Sequence, residues 1–370
     1  MINVLTAISV IVVLGLLIFF HELGHFAVAK MVNIKVYEFS LGFGPKVFGI
    51  KRGETAYNLR LFPLGGFVKM AGMDDVEDEE MAKKEALEAL GEDGAKVHAE
   101  EGIESNPYFD SDRGFNKKTV WQRMAVIFAG PLMNFVLAAV LFAGVAMSMG
   151  DPEATTRIGN VLPHKPAAQV GLQPGDLVVA INGEKIDRWG ELVKLIEAHG
   201  KKELTLTVKR DEEVKNIKVT PVTEPETKRS IIGIEPTKPG FFRGAVLGVL
   251  YTAKVTGFIV DQVGQIITAK APSEGIGGPV RITMEIGKAA QHGILMLAQM
   301  TAVLSINLGL FNLFPIPALD GSRLLFLLWE VLRGRPVDPT RENMIHLVGF
   351  GLLLLLMVVI TYNDIRTQIF

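Results

Sequence analysis

The chain has 370 residues, room for two or three ordinary domains, so a single small domain is excluded. Its 38 Lys+Arg against 40 Asp+Glu leave a formal net charge of −2, which argues against a general nucleic-acid binder. The absence of cysteine excludes disulfides, thiolate metal sites, iron–sulfur clusters and a cysteine nucleophile. Hydrophobic residues make up 49% of a chain that is also 21% charged, and the mean hydropathy is +0.31; very apolar stretches therefore alternate with charged ones.

Four stretches are long and apolar enough for the roughly 20 residues a helix needs to cross about 30 Å of hydrocarbon. Residues 1–30 carry no charge before His21, and 120–150 none between Arg123 and Asp151. Residues 293–321 carry none between His292 and Asp320, and 344–363 complete the set. The first is expected to be retained as a span, because it lacks a basic n-region and runs on into charge-bearing helix rather than a small-residue cleavage site. Lys30, Lys35 and Lys46 follow the first span, Lys117, Lys118 and Arg123 precede the second, and Arg323, Arg333, Arg335 and Arg341 lie between the third and fourth. This asymmetry places those loops in the cytoplasm, and both termini and the long 151–292 segment outside.

Residues 36–72 alternate apolar and polar side chains and are rich in glycine, the signature of short strands or hairpins, and their greasiness sets them against the membrane. Residues 36–45 or 59–68 would serve as an edge strand able to capture an extended peptide. Residues 74–118 carry 15 acidic and 6 basic side chains and read as a solvated cytoplasmic loop. Residues 155–235 alternate short strands with one or two helices: a strand over 157–161, a helical turn at 166–170 ended by Gly171, and a strand closing in Asn182-Gly183. An amphipathic helix over 189–199 and strands over 204–209 and 214–219 follow. Residues 241–270 repeat apolar side chains at helical spacing, but Lys254 and Asp261 interrupt them, so an interfacial amphipathic helix is expected rather than a fifth span.

The first helix contains His21-Glu22-Leu23-Gly24-His25. Residues i and i+4 share a helix face, so both imidazoles can reach one tetrahedral zinc, and the intervening Glu22 is set beside the metal's water as general base. The pattern is short, and a coincidental histidine pair at a membrane boundary is the bland alternative. Ionisable side chains at membrane depth are costly, however, which makes a functional site the default. A catalytic zinc needs a third protein ligand, and the candidate is Asp320, where Pro315 and Pro317 stop the third span. Asn307 and Asn312, five apart and expected close to one face, are candidates for bonding a substrate backbone or an oxyanion, or for bridging helices.

The HExxH of the first helix, Asn312-Leu-Phe-Pro315-Ile-Pro317-Ala-Leu-Asp320-Gly321, and the run Pro-Ala-Ala…Gly-Leu-Gln-Pro-Gly-Asp…Ile-Asn-Gly of a PDZ domain stand together in this chain. With Gly42-Phe-Gly-Pro45, Gly65-Gly66-Phe67, Ala129-Gly-Pro-Leu-Met-Asn134 and Gly277-Gly-Pro-Val280, they resemble the site-2 protease family of intramembrane zinc metalloproteases, in particular bacterial members of the sigma-E pathway. The resemblance implies a membrane protein of four transmembrane α-helices with a membrane-associated β-hairpin region and an inserted α+β PDZ domain. It implies a zinc ion held by His21, His25 and Asp320, Glu22 as the base, and substrate contacts from Asn307, Asn312, Gly42, Gly44, Gly65 and Gly66. Implied substrates are single-span transmembrane proteins already trimmed outside, such as anti-sigma factors, and remnant signal peptides, cleaved in the lipid of the bacterial inner membrane near its cytoplasmic side. The family also has members with two tandem PDZ domains; one is placed here. A metal transporter or a membrane scaffold working through its PDZ domain are the competing classes, and neither requires Glu22.

Overall fold

A computed structural model of the chain describes residues 3–73, 113–211, 213–224, 229–268 and 278–369. The charged loop expected over 74–118 lies outside the described residues as far as 112, and Gly277 lies outside them too. The chain divides into two units, one of residues 1–138, 255–291 and 303–370 and the other of residues 139–254 and 292–302.

The first unit starts with α1 (Val4–Met31), whose N-terminus is capped by the Asn3 side chain accepting from the Thr6 N–H at 2.8 Å. Its buried residues run Thr6, Ser9, Val13, Leu17, His21, Gly24, His25 and Ala29, a stripe at i+3/i+4 spacing. The remaining faces expose Val4, Leu5, Ile8, Ile11 and Val12. All the polar side chains of the stripe thus point inward and the outward faces are apolar, as expected of a helix solvated by lipid rather than water.

Strands β1 (Val36–Arg52) and β2 (Thr55–Met70) form one sheet, but not the simple hairpin expected from the alternation. Both strands double back. Residues 38–41 pair with 66–69 on one side and with 56–59 on the other, while 46–52 pair with 55–60. Four segments therefore lie side by side in the order 66–70, 36–41, 55–60, 46–52. The reversals fall where glycine is required: Gly42 and Gly44 at φ +89° and +83°, and Gly65 at φ +111°. Because 36–41 has partners on both sides, it cannot be the free capturing edge; among the described residues the outer segments are 66–70 and 46–52. The latter exposes Val47, Phe48 and Ile50, an apolar tip suited to lipid.

The sheet is fastened to α1 at its turn. Glu54 accepts from both Arg113 Nη atoms at 2.7 Å and from Lys30 Nζ, at the end of α1, at 2.6 Å. The Arg113 fork, helped by Lys30, holds the Glu54 carboxyl down at about 2.

Helix α2 (Val120–Met149) runs from the first unit into the second with Pro131 in its interior. The second unit holds β3 (Ile158–Val161), α3 (Pro166–Gln169), β4 (Leu177–Ile181), β5 (Glu184–Lys185), α4 (Trp189–His199), β6 (Leu204–Arg210), β7 (Glu213–Val219), β8 (Val222–Thr223), β9 (Ser230–Ile231) and β10 (Ile234–Pro236). The central sheet has the order β5-β4-β6-β7, and β10 pairs with β3. Ile158, Val178, Ile181, Leu192, Leu204, Leu206 and Val208 make its core. The expected elements over 157–219 are present, and Asn182 and Gly183 turn the β4–β5 hairpin with φ of 49° and 84°. Asp176 is buried; burial alone would raise its carboxyl, but the Arg210 fork at 2.6 and 2.7 Å and the Gln173 N–H hold it below the ordinary range.

Helix α5 (Phe241–Ile267) starts in the second unit, where Gly248 sits against the Ala139 carbonyl of α2. The chain then forms α6 (Pro279–Gln291), α7 (Ile294–Asn312), α8 (Asp320–Arg333) and α9 (Pro339–Ile369). In the first unit α6 touches the start of α1, where Gly287 meets Thr6, and the end of α9, where the Arg281 N–H donates to Asp364 at 3.2 Å. Five described helices, α1, α2, α5, α7 and α9, have the length and composition to cross a membrane. By that measure α5, expected at the interface, also qualifies.

Candidate active site

Two close approaches bring the polar stripe of α1 against α2. A Cβ on Gly24 would lie 2.2 Å from the Ala129 carbonyl oxygen, and one on Gly130 would lie 2.2 Å from His25 Nε2. Ala129-Gly130 thus gives α1 and α2 backbone-to-backbone contact at the height of the histidines. Behind them, Ser305 of α7 donates to the Asn134 carbonyl at 2.8 Å. Two prolines and a local turn then carry the chain from α7 to Asp320 at the start of α8.

Three ligand atoms converge there. His21 Nε2 and His25 Nε2 are 3.2 Å apart, and Asp320 Oδ2 lies 3.1 Å from the first and 3.3 Å from the second. Asp320 Oδ2 is buried without a hydrogen-bond donor. A tetrahedral zinc with bonds of about 2.0–2.1 Å separates its ligands by roughly 3.3 Å, so this triangle has the size the ion demands. Two imidazole lone pairs and a carboxylate oxygen facing one another are also mutually repulsive until a cation joins them.

The outer ring nitrogens settle the tautomers. His25 Nδ1 donates to the Val126 carbonyl at 2.9 Å, which leaves Nε2 as the free lone pair. His21 Nδ1 lies 3.1 Å from the Asn134 side-chain amide. Ligation through His21 Nε2 puts the proton on Nδ1, so the Asn134 amide must present its oxygen. That orientation exchanges the two amide atoms: Oδ1 moves to the position facing His21 Nδ1, and Nδ2 takes the buried position that has no partner. Asn134 itself is fully buried. Its role was not read from the sequence, although an amide in a charge-free span is a signal of one; the Val126 carbonyl leaves no sequence signal at all.

Glu22 lines the same cavity, of about 890 Å³, together with Gly66, Phe67, Val68, Met70, Asn312 and the three candidate ligands. Segment 66–70 has a sheet partner on one side only and lines the cavity with Gly66, Phe67, Val68 and Met70, and Gly66 packs so closely on Glu22 that a Cβ there would meet Glu22 Cγ at 2.9 Å. Asn312 brings its amide to 3.5 Å from His21 Nε2. Asn307 is not among the cavity's lining residues: five residues of helix turn it about 140° from Asn312, so the two do not share a face. Gly42, Gly44 and Gly65 lie at the strand reversals, against Phe62 and Phe43, and do not line the cavity; of the four expected glycines only Gly66 does.

Residues 9–356 match peptidase family M50. The zinc metalloprotease RasP of Geobacillus kaustophilus is 38% identical, over 97% of both chains. The regulator of sigma-W protease RasP of Bacillus subtilis is 35% identical over 98% of both, and a putative zinc metalloprotease of Clostridium acetobutylicum is 34% identical over 96% of both. Among solved structures, the PDZ domain of an SdrC-like protein from Listeria monocytogenes covers 23% of this chain and 86% of its own at 20% identity, with a TM-score of 0.20, too low to bear on the fold.

Proposed function

This chain belongs to peptidase family M50 and is a membrane-embedded zinc metalloprotease of the site-2 type; from that premise we propose that His21, His25 and Asp320 hold the zinc, that Glu22 is the general base, and that the substrates are transmembrane segments of single-span proteins. The observation that carries the assignment is the triangle of 3.1, 3.2 and 3.3 Å closed by an unpartnered carboxylate oxygen.

When bound, zinc acts as a Lewis acid that polarises the scissile carbonyl and makes water acidic enough to lose a proton near neutral pH. Glu22, one residue on from His21 and lining the same cavity, would take a proton from the attacking water and return it to the leaving amine. Asn312, whose amide is 3.5 Å from His21 Nε2, would donate to an oxygen that gains charge during attack. A peptide bond inside a helix has its carbonyl hydrogen-bonded and shielded, so the substrate must unwind before water can attack. Segment 66–70 offers the unwound stretch a strand edge along the wall of the cavity. Within the first unit the sheet's apolar tip at 46–52 suits it to the membrane surface.

The arginine and lysine asymmetry supports a multi-pass inner-membrane protein with both termini and the PDZ-like domain outside and the site towards the cytoplasmic end of α1. His21 stands about 26 Å along α1 from Val4, far enough from that end to be reached by water from the cytoplasmic side. The connections support α5 as an interfacial helix. Helix α6 contacts both the start of α1 and the end of α9, and α2 runs away from the site toward that same side, so a lone crossing by α5 would return the chain on the wrong side. The name of the Bacillus relative, a regulator of sigma-W protease, supports anti-sigma factors already trimmed outside as one substrate class; remnant signal peptides are the other.

The test is cleavage of a single-span substrate with a short outer stub in liposomes, with the cut located by mass spectrometry. A cut inside the apolar span, abolished by a zinc chelator, is expected; a cut in a soluble tail would overturn the reading.

A further inference from the structure

Asp320 is delivered to the histidines by a loop that has little to hold itself with. Pro315 and Pro317 have no N–H to give. The Ile316 N–H bonds to the Phe314 carbonyl at 2.7 Å and the Leu319 N–H to the Ile316 carbonyl at 3.1 Å, both inside the loop. The Ala318 N–H points elsewhere: it donates to His346 Nδ1, on α9, at 3.0 Å. Ala318 has φ +75°, a left-handed conformation that is unfavourable for a residue with a Cβ and persists only where something outside enforces it. Immediately before it, Pro317 is packed so tightly on Gly349 of α9 that a Cβ there would come within 2.2 Å of Pro317 Cβ.

The His346 ring lines the same cavity as the candidate ligands and is held beside the loop by its own helix and by α8. Its side chain is 14% exposed, and it packs edge-on to Phe326 of α8 with centroids 5.9 Å apart. Accepting from Ala318 requires the lone pair on Nδ1, so the proton sits on Nε2, which is buried without a hydrogen bond, 3.8 Å from Glu342 Oε1. Helix α9 is otherwise exposed along most of its length, so His346 and Gly349 are specific attachments in a lipid-facing helix.

We infer that His346 is a positioning residue for the metal centre: its Nδ1 holds Ala318 in the left-handed conformation that places Asp320 Oδ2 against His21 and His25. The inference rests on Asp320 as a zinc ligand. The last helix thereby acts on the chemistry through the loop backbone.

Substitutions separate the acceptor from the ring's bulk. In the full-length protein, H346L removes the acceptor, H346N keeps an acceptor near the Nδ1 position, and H346Q moves it outward toward the Nε2 position. The readouts are the affinity for cobalt, by chelator competition, and the visible ligand-field spectrum of the cobalt-loaded protein. About tenfold weaker metal retention and an altered spectrum are expected for H346L and H346Q, with H346N within about twofold of wild type. Wild-type affinity and spectrum in H346L would overturn the inference. If H346L does not fold, H346N against H346Q decides, and equal behaviour of those two would overturn it. Wild-type protein that binds no cobalt would remove the metal centre itself, and this role with it; wild-type protein that binds it normally while H346L and H346Q do likewise refutes the role of His346 alone.

Discussion

Two glycines of the same helix carry opposite expectations. At Gly24 a Cβ would sit 2.2 Å from the Ala129 oxygen and 2.6 Å from its carbonyl carbon, whereas at Gly15 nothing lies within 4 Å. An ordinary carbon–oxygen contact is about 3.3 Å, so Gly24→Ala must part α1 and α2 by roughly 1 Å, against backbone that has no rotamer with which to yield. Overpacking of this kind costs about 1–3 kcal/mol. A 1 Å displacement also lengthens the His25–Val126 bond from 2.9 Å beyond hydrogen-bonding range and moves both histidines relative to Asp320. Misplacement on that scale costs on the order of 10²-fold in rate. Gly15→Ala, by contrast, is expected to be neutral or slightly stabilising, because alanine is the better helix former. The assay is zinc content per chain, thermal midpoint and cleavage rate, measured side by side for wild type and the two variants. Gly24→Ala retaining full zinc and a rate within about twofold of wild type would refute the packing account, as would Gly15→Ala proving equally damaging.

Replacing Asn134 with Leu, similar in size but without an amide, leaves the fold and removes the acceptor for His21 Nδ1; chelator competition should show zinc held about 10–100-fold less tightly. Glu54 is held at about 2 against an ordinary 4.5, chiefly by the Arg113 fork. Because the folded value is the lower one, its stabilising contribution is complete above about 4.5 and is lost as pH falls from there through about 2. Glu54→Gln should therefore lower the thermal midpoint at neutral pH and flatten its decline across that acid window; an unchanged acid limb would contradict the ion-pair assignment.

Much of the site could be read from the residues because its chemistry is local in sequence. His21 and His25 share a helix face by period, and Asp320 follows the prolines that end α7. The Asn182-Gly183 turn likewise sits where its two left-handed positions require it. What escaped was non-local. The polar support of the histidines comes from α2, through one side-chain amide and one backbone carbonyl, and a carbonyl is the same in every residue. The sheet was expected as hairpins because alternation reports which faces are buried but not which segments pair. The doubling-back that leaves 66–70 as the edge beside the cavity depends on tertiary placement of Gly42, Gly44 and Gly65. Asn307 and Asn312 were grouped by proximity in sequence, and the 3.6-residue period separates them. For α5, Lys254 and Asp261 pointed to an interfacial helix, but by length and composition the helix is also able to cross.

Zinc content and cleavage, determined together for wild type, Glu22→Gln and Asp320→Asn in the same detergent preparation, test the division of labour at the site most directly. The expected result is about one zinc per chain in wild type and Glu22→Gln, strongly reduced zinc in Asp320→Asn, and cleavage of a single-span substrate by wild type alone. Cleavage by Glu22→Gln at the wild-type rate, or undiminished zinc in Asp320→Asn, would contradict the assignment of base and ligands.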